Sequence, residues 1–337
     1  MDTRAIYETT LVWDDHSGFA TLPDLPLDTA LSPWRAAGVD YLSICAGFDA
    51  YTPETVLQSL AWLRHRLPHD APYARLVSQV EDIDATIAEG LMAVTFDIEG
   101  MRVLGGRVEM VEVLYTLGVR HMNFAYNINS LAGSGCHDED TGLTRFGCAV
   151  IDEMNRVGMV VDCTHTGYRT TMEAMERSTA AVNFTHSNPK ALADHGRNIT
   201  EDQIRACAAT GGVIGITGIN LFLGVDTPRP DDVARHAAYV ADLTSSDHVS
   251  LCLDDSPEFR RAGTVAFLEE TPDAARFWPE AEGYGPTLDC LDVRHLPDIA
   301  EALALVGFRD KDLRKILGLN CCRVAAQVWK PTLPFTP

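Results

Sequence analysis

Long apolar runs are missing from this sequence, and no stretch approaches the ~18 residues that suggest a membrane-spanning helix. The first residues, MDTRAIYETTLVW, also lack the basic start and apolar stretch of a secretory signal peptide. Basic residues are scarce, because 27 Lys and Arg stand against 48 Asp and Glu, a net charge of −21 that repels phosphate backbones and anionic lipid headgroups. These absences predict a cytoplasmic protein that binds neither nucleic acid nor a membrane.

A pattern of paired cysteines is absent as well. The nine cysteines are odd in number, scattered, and mostly embedded in apolar runs such as LSICAG and VSLCLDD, which argues against a disulfide framework. Hydrophobic residues make up 46% and charged residues 22%, which is typical of a globular protein with a large core. The length of 337 residues allows two average domains or one large α/β barrel.

Short β-branched runs alternate with stretches of helical periodicity, the pattern of βα units around a parallel sheet. Eight runs are predicted as strands: LVWDDH from 11, VDYLSICA from 39, LMAVTFDIE from 91, VRHMNFAY from 119, MVVDCTH from 159, AAVNFTH from 180, GVIGITGIN from 212 and HVSLCLDD from 248. Eight such units predict a (β/α)8 TIM-type barrel with loop elaborations at its C-terminal face. We expect residues 1–337 to form a single barrel domain.

Helices are predicted between these strands, and several have clear boundary residues. Thr200 precedes two acidic residues as an N-cap, whereas Gly158 and Gly211 stand where helices end. The segment ARLVSQVEDIDATIAEG, residues 74–90, is predicted as an extra helix before the third strand. Two irregular stretches, residues 130–142 and about 256–292, are expected above the barrel mouth.

Polar residues stand at the carboxyl ends of the predicted strands, where a barrel of this kind builds its active site. They are His16 after the first strand, Glu99 after the third, Tyr126 after the fourth, His165 after the fifth, His186 after the sixth, and Asp254 with Asp255 after the eighth. One histidine at a strand end is usually a hydrogen-bonded structural residue. Three histidines and a carboxylate in one mouth instead predict a site for zinc or another borderline divalent metal.

A carboxylate shared between two ions would favour hydrolysis, because metal ions lower the pKa of water and polarise carbonyl oxygens. Glu99 is the candidate for this bridging role, and Asp254 is the candidate proton shuttle. The alternative for Asp254 is a strand-end carboxylate that caps backbone N–H groups. Asp97 and Asp14 lie two residues before Glu99 and His16, and for both we expect orienting or structural hydrogen bonds rather than metal ligation.

The segment HGRN at 195–198 follows the sixth strand and is expected to rise over the barrel mouth. Arg197 could hold a substrate carboxylate with two hydrogen bonds, although a surface ion pair is the alternative. His195 is interpreted as a loop residue rather than a further metal ligand.

The order of these motifs resembles the renal (membrane) dipeptidase family of metallopeptidases in the amidohydrolase superfamily. The motifs are DDH at 14–16, FDIEG at 96–100, VVDCTHTG at 160–167, NFTHSNPKAL at 183–192 and HGRNIT at 195–200, and the resemblance extends through residues 141–165 and GLNCCRVAAQVW near the carboxyl end. It is specific in the middle of the chain and weak in the first 90 residues.

This resemblance implies a barrel with a binuclear zinc site that hydrolyses dipeptides, often with a D residue at the carboxyl side, and in some members β-lactam amides. It implies that Glu99 bridges the metals, that His165 and His186 bind one metal and that His16 binds the other. It also implies that Asp254 is the catalytic aspartate and that Arg197 holds the substrate carboxylate. A homodimer is a further expectation from the family.

The sequence departs from the family pattern at two positions. The strand-one motif of the family is His-x-Asp, whereas this sequence reads His16-Ser17-Gly18, so one metal has lost its carboxylate ligand. The position would keep His16 and Glu99, supplemented by Asp254 or water, which predicts weaker occupancy and one or two zinc ions per chain. Tyr126 stands where the best-known members place a histidine, and its hydroxyl could steady the oxyanion or contact a different substrate.

The main prediction is a dipeptidase in which metal-activated water attacks the amide, Tyr126 steadies the oxyanion and Asp254 protonates the leaving amine. The expected partner is a small dipeptide-like molecule with a free carboxylate, L,D dipeptides included. One alternative is an amidohydrolase that acts on N-acyl amino acids, lactones or other small amides. Another is a non-catalytic small-molecule-binding homologue whose metal site is degraded at Gly18.

Overall fold

The computed structural model describes residues 1–18, 26–256, 271 and 273–331. Nine strands lie in this part of the chain: β1 (Trp13–Ser17), β2 (Tyr41–Phe48), β3 (Ala74–Leu76), β4 (Met92–Glu99), β5 (Val119–Asn123), β6 (Val160–Asp162), β7 (Val182–Asn183), β8 (Ile214–Ile216) and β9 (Val249–Leu251). All pairings between them are parallel. This arrangement agrees with the prediction of alternating βα units.

The sheet curls in the order β1-β2-β4-β5-β6-β7, and β8 pairs with β9. Two isolated parallel bridges join these parts, one between Phe184 and Ile214 and the other between Ser17 and Asp255. They connect β7 to β8 and the segment after β9 back to β1, as the predicted TIM-type barrel requires. The carboxyl ends of the strands therefore meet around one mouth.

Helices connect the strands, and most of them pack on the outside of the curled sheet. They are α1 (Thr3–Glu8), α2 (Leu27–Ala37), α3 (Pro53–Asp70), α4 (Val80–Ala88), α5 (Met110–Thr116), α6 (Arg145–Val157), α7 (Tyr168–Arg177), α8 (Glu201–Ala209), α9 (Asn220–Leu223), α10 (Pro230–Leu243), α11 (Ala274–Phe277), α12 (Leu296–Leu305), α13 (Asp310–Arg314) and α14 (Asn320–Val328), with a π-helical turn, Lys315–Leu319, between the last two. Of the helices in the described residues, none has both the length and the apolar character needed to cross a bilayer.

Several predicted helix boundaries are confirmed. Thr200 caps α8, where its hydroxyl and Gln203 form a capping box. Gly158 ends α6 with a φ of +94°, and Gly211 follows α8 with a φ of +86°. Glycine is favoured at both positions because a side chain strains the left-handed backbone.

The predicted helix over residues 74–90 is wrong in its first part. Residues Ala74–Leu76 form β3, which pairs with the first half of β4 along the edge where β5 pairs with the second half. The helix itself begins at Val80. Periodicity could not predict this strand, because three residues are too few to show alternation. Their extended conformation depends on pairing with the open edge of β4.

The main core lies between the sheet and the helices, where Trp34 of α2 is fully buried among apolar side chains. Polar residues instead fill the mouth at the carboxyl ends of the strands. Of the two irregular stretches expected above this mouth, residues 130–142 are described, whereas residues 257–270 and 272 of the other lie outside the described residues. All nine cysteines are described, and none of them forms a disulfide in this structure.

Candidate functional site

The strands that position the polar residues are shorter than the sequence predicts. Only β4 ends at its predicted site residue, Glu99, while His16 lies one residue before the end of β1. His165 and His186 each follow three residues after the last residue of β6 and β7. The histidines after these strands therefore lie on loops, yet all four side chains meet at one place.

Glu99 is the centre of this cluster, and its two carboxylate oxygens face different partners. Oε1 lies 2.9 Å from Nε2 of His165 and 3.3 Å from Nε2 of His186. Oε2 lies 3.8 Å from Nε2 of His16. The two Nε2 atoms of His165 and His186 are 3.0 Å apart. The structure thus brings together the four residues predicted as metal ligands.

The hydrogen bonds of the outer ring nitrogens determine which tautomer each histidine adopts. Nδ1 of His165 lies 2.6 Å from Oδ1 of Asn127, whose Nδ2 donates to the Phe277 carbonyl. Because Oδ1 of an amide accepts and does not donate, Nδ1 of His165 carries the proton. Nε2 of His165 therefore presents a lone pair to Glu99.

The other two histidines are also held at Nδ1 by a hydrogen-bond acceptor. Nδ1 of His186 lies 3.0 Å from the hydroxyl of Thr185, which donates its own proton to Asp162 and so accepts from the ring. Nδ1 of His16 lies 2.9 Å from Oδ1 of Asp97, a carboxylate that accepts. In all three imidazoles Nδ1 is therefore held by a neighbouring residue, and Nε2 is the nitrogen directed at Glu99.

The Nε2 lone pairs of His165 and His186 both face the buried Glu99 carboxylate, an arrangement that positive charge stabilises. Burial, reinforced by the positive charge of Arg197, lowers the pKa of His165 and His186 well below the usual range, so both rings stay neutral. Burial also raises the pKa of Glu99 to about 8, although His16 opposes this effect. Oε1 of Glu99 is buried without a hydrogen-bond partner of its own. This donor set fits a divalent cation.

His16 has a different electrostatic environment. Burial tends to lower its pKa, but the carboxylates of Asp97 and Glu99 and a hydrogen bond with Asp254 raise it well above the usual range. A positively charged His16 and a bound cation are therefore alternative ways to balance the same negative charge.

Asp254, the predicted proton shuttle, lies at the edge of the cluster. Its Oδ1 is 3.3 Å from Nε2 of His16, and its side chain is 21% exposed, so solvent and substrate can reach it. Its φ is +57°. Among the described residues, four non-glycine residues have positive φ, and three of them, Asn127, His165 and Asp254, belong to this site. Such strained backbone is concentrated where function requires it.

Arg197 is buried rather than a surface arginine, which rules out the exposed ion pair that was its alternative. Its Nη2 donates to the His186 carbonyl at 3.0 Å and lies 3.2 Å from Nε2 of His165. Its Nη1 donates to Ser187 at 3.3 Å, and its Nε has no partner. A cavity of about 230 Å³, lined in part by His165 and Arg197, lies beside it.

Tyr126 packs its ring against that of His165, with 4.1 Å between the ring centroids. Phe48, Phe277 and Trp278 surround it in a small aromatic cluster. Burial raises the pKa of the Tyr126 hydroxyl well above its usual value, and the nearby carboxylates add to this effect. The hydroxyl therefore stays protonated and can donate a hydrogen bond.

The neighbouring predicted residues have orienting or structural contacts. Asp97 holds His16 through Oδ1 and accepts from the Ser43 hydroxyl through Oδ2 at 2.7 Å. Asp14 accepts instead from the indole of Trp34 at 2.7 Å. His195 lies in its loop, where its Nδ1 accepts from the Arg197 N–H.

Two residues of this site, Asn127 and Cys45, were not predicted from the sequence. Asn127 sets the tautomer of His165, and no strand pattern could identify it because it lies on a loop. Cys45 lies with its Sγ 3.9 Å from Oε2 of Glu99, and it forms a group with His16 and Glu99 in which all ligand atoms lie within 4.8 Å of one another. Ser43 and Cys45 are two residues apart on β2, so both side chains lie on the inner face of the strand. This spacing could have been recognised in the sequence.

A family model described as membrane dipeptidase (peptidase family M19) matches residues 35–260 of this chain. An uncharacterized protein in the pqqA 5′ region of Klebsiella pneumoniae is 28% identical over 285 residues, which cover 81% of this chain and 96% of that protein. Three curated relatives named dipeptidases are 29% to 30% identical, but the matches cover 42% to 59% of their own length.

Two solved structures share the fold over nearly the whole chain. An amidohydrolase from Pseudomonas aeruginosa is 21% identical with a TM-score of 0.85, covering 98% of this chain and 99% of that one. A metallopeptidase from Rhodobacter sphaeroides, liganded with a phosphinate mimic of the dipeptide L-Ala-D-Ala, is 17% identical with a TM-score of 0.76, covering 95% and 100%. At these identities the comparisons establish the barrel fold.

Proposed function

Because the chain belongs to the membrane dipeptidase family of metallopeptidases, we propose that it hydrolyses the amide bond of small dipeptides that have a free carboxylate. The observation that carries this proposal is the convergence of the Nε2 atoms of three histidines on the two oxygens of Glu99. L,D dipeptides are included among the candidate substrates, since the Rhodobacter sphaeroides structure contains a mimic of L-Ala-D-Ala.

His165, His186 and Oε1 of Glu99 would hold one zinc ion, and His16 with Oε2 of Glu99 would contribute to a second position. Bound zinc supplies Lewis acidity, which lowers the pKa of water and polarises a carbonyl oxygen. Asn127 and Asp97 keep the ring nitrogens aimed at these positions, because each fixes the proton of its histidine on Nδ1.

Asp254 is the proposed proton shuttle. Its carboxylate takes a proton from the attacking water and delivers it to the leaving amine. Its partial exposure leaves space for the substrate, and its contact with His16 places it beside the proposed metal positions. In this reaction the water oxygen forms a bond to the carbonyl carbon, the C–N bond breaks, and the leaving amine gains the proton.

Arg197 and Tyr126 are the proposed substrate-binding residues. The Arg197 guanidinium is held by the His186 carbonyl and Ser187, so its direction is fixed before substrate binds. Its charge suits a carboxylate. The Tyr126 hydroxyl, protonated over the physiological pH range, would donate to the carbonyl oxygen as negative charge develops there.

The test is metal content per chain combined with turnover. Protein purified without chelator, before and after incubation with zinc, would be measured by elemental analysis and assayed on L,L and L,D dipeptides and on N-acetyl amino acids. We expect zinc-dependent hydrolysis of dipeptides. Hydrolysis of N-acyl amino acids alone would favour the amidohydrolase alternative over a dipeptidase. Absence of both bound metal and turnover would favour a binding protein.

A further inference from the structure

We propose that Cys45 is a metal ligand, and that its thiolate completes a position formed with His16 and Oε2 of Glu99. This inference rests on the metal site of the proposed function, but it concerns which atoms bind the second ion. We call this second location the thiol position, defined by His16, Cys45 and Glu99, and the first location the two-histidine position, defined by His165, His186 and Glu99.

The two oxygens of Glu99 separate these positions. Oε1 faces the two-histidine position, at 2.9 Å from His165 and 3.3 Å from His186. Oε2 faces the thiol position, at 3.8 Å from Nε2 of His16 and 3.9 Å from Sγ of Cys45. A bridging carboxylate presents one oxygen to each ion, so this arrangement has the two-sided form that a binuclear site requires.

The spacing also agrees with tetrahedral zinc. Zinc bonds of about 2.0–2.1 Å to nitrogen and oxygen and about 2.3 Å to sulfur place neighbouring ligand atoms roughly 3.3–3.6 Å apart. The distances from Glu99 Oε2 to His16 and Cys45 exceed this range by only a few tenths of an ångström. The ligand atoms of His16 and Cys45 lie within 4.8 Å of each other, so an inward movement of the side chains would complete the position.

The backbone explains why Cys45 points into the site. Cys45 of β2 is paired with Asp97 of β4, and Ser43 on the same face of β2 donates to Asp97. The next inward residue along each strand is Cys45 on β2 and Glu99 on β4. Cys45 is 2% exposed, so oxidation by solvent species is restricted while a bound ion can use its sulfur.

The thiol position requires a further ligand because Gly18 has no side chain. A Cβ placed on Gly18 would lie 3.3 Å from Cβ of Ser256 and 3.7 Å from Oδ1 of Asp254, so a side chain at this residue would lie beside Asp254. Glycine contributes no donor there, and His16 with Glu99 alone are too few ligands for a structurally held zinc. Cys45 supplies a soft donor from the neighbouring strand, which favours zinc over magnesium or manganese. The thiol releases its proton to solvent when the metal binds.

The matched variants are Cys45→Ser and Cys252→Ser. Cys252 is a suitable control because its thiol is also buried beside His16 but donates to the backbone carbonyl of that residue rather than facing the ring. Wild-type protein loaded with zinc is expected to bind two ions per chain, and Cys45→Ser one. Cys252→Ser should keep two.

Spectroscopy on the loaded protein identifies the sulfur directly. Cobalt-loaded wild type and Cys252→Ser should show a thiolate-to-cobalt charge-transfer band in the near ultraviolet, and Cys45→Ser should lose it. X-ray absorption of the zinc-loaded wild type should show a sulfur neighbour at about 2.3 Å. Adding Gly18→Asp to Cys45→Ser should restore the second ion without the band.

Absence of both the sulfur neighbour and the charge-transfer band in wild type overturns the proposal, whatever the metal count. The X-ray absorption and charge-transfer spectra of the wild type test Cys45 ligation even if Cys45→Ser fails to fold. Failure of the proposed function is a separate result. Metal–sulfur bonding without hydrolysis of any dipeptide would support Cys45 as a ligand and exclude the dipeptidase function. Dipeptide hydrolysis with two bound metal ions and no metal–sulfur bond would support the proposed function and exclude Cys45 as a ligand.

Discussion

His165 and His186 point their Nε2 atoms at each other across 3.0 Å, and Oε1 of Glu99 lies within 3.3 Å of both. Asn127 and Thr185 hold the opposite nitrogens of the two rings. Two neutral rings whose lone pairs face each other repel, so this arrangement is favourable only when positive charge lies between or beside them. Arg197 provides part of that charge, and a bound cation would provide the rest.

His165→Ala and His186→Ala should each abolish metal binding at the two-histidine position. Each removes one of the three proposed protein ligands, and a zinc ion held by only two protein ligands binds weakly. Asp254→Asn should retain the metal at this position and lose turnover, since an amide cannot carry the proton. Elemental analysis and dipeptide hydrolysis measure both effects. Undiminished activity in all three variants would exclude the proposed mechanism.

Asp97→Asn should lower metal affinity at the thiol position by about 10- to 100-fold, the usual effect of removing a carboxylate that orients a histidine ligand. Asp97 holds Nδ1 of His16 and does not face the proposed ions. Asp14→Asn is the control, because Asp14 bonds the indole of Trp34 instead. Competition with a chelating dye measures the affinity. Equal affinities in the two variants would show that Asp97 does not position His16.

Tyr126→Phe should reduce kcat by about 10²- to 10³-fold, the range for removal of one oxyanion donor, and leave metal content unchanged. The ring would still pack on His165 and the aromatic cluster, so the protein should stay folded. Tyr126→His restores a donor and should recover part of the rate. A change in KM with constant kcat would instead assign the hydroxyl to ground-state binding.

Arg197→Met should lower kcat/KM for substrates with a free carboxylate by about 10- to 100-fold, since hydrogen bonds to charged groups contribute about 1.5–3 kcal/mol. The matched comparison is a dipeptide whose carboxyl end is an amide. The variant should not discriminate between the two, whereas the wild type should prefer the acid. An unchanged preference in the variant would place the carboxylate elsewhere.

Stability should fall in acid because of His236, a fully buried residue of α10 whose Nε2 lies 3.3 Å from the Leu223 carbonyl. Burial, with a contribution from Arg235, lowers the pKa of His236 to about 4. The unfolded chain takes up a proton near pH 6.5 and the folded chain only near pH 4, so the stabilising contribution present above pH 6.5 is lost as the pH falls through this window.

His236→Gln removes this titration. Between pH 6.5 and 4, the free energy of unfolding of wild type should decrease relative to that of the variant by at most about 3 kcal/mol. Urea unfolding at several pH values measures the difference. A difference that does not change with pH would show that His236 takes up its proton equally in both states.

The fold was largely predictable because the eight barrel strands and most of the helices carry strong local signals. The short strand β3 was not predictable, since the pairing of Ala74–Leu76 depends on the free edge of β4. At the site, strand order alone located the histidines and Glu99. The contacts of Asn127 were hidden, because its loop conformation follows from tertiary packing and not from periodicity.

The sequence by itself determined the kind of protein: alternating strands and helices, polar strand ends and the motif order specify a barrel with a hydrolase site. The tertiary structure alone decided the tautomer of each histidine, the burial of Arg197 and the approach of Cys45 to Glu99. These features depend on distances between side chains from different strands. Local sequence specifies the face on which a side chain lies, whereas barrel closure and helix packing decide which atoms it meets.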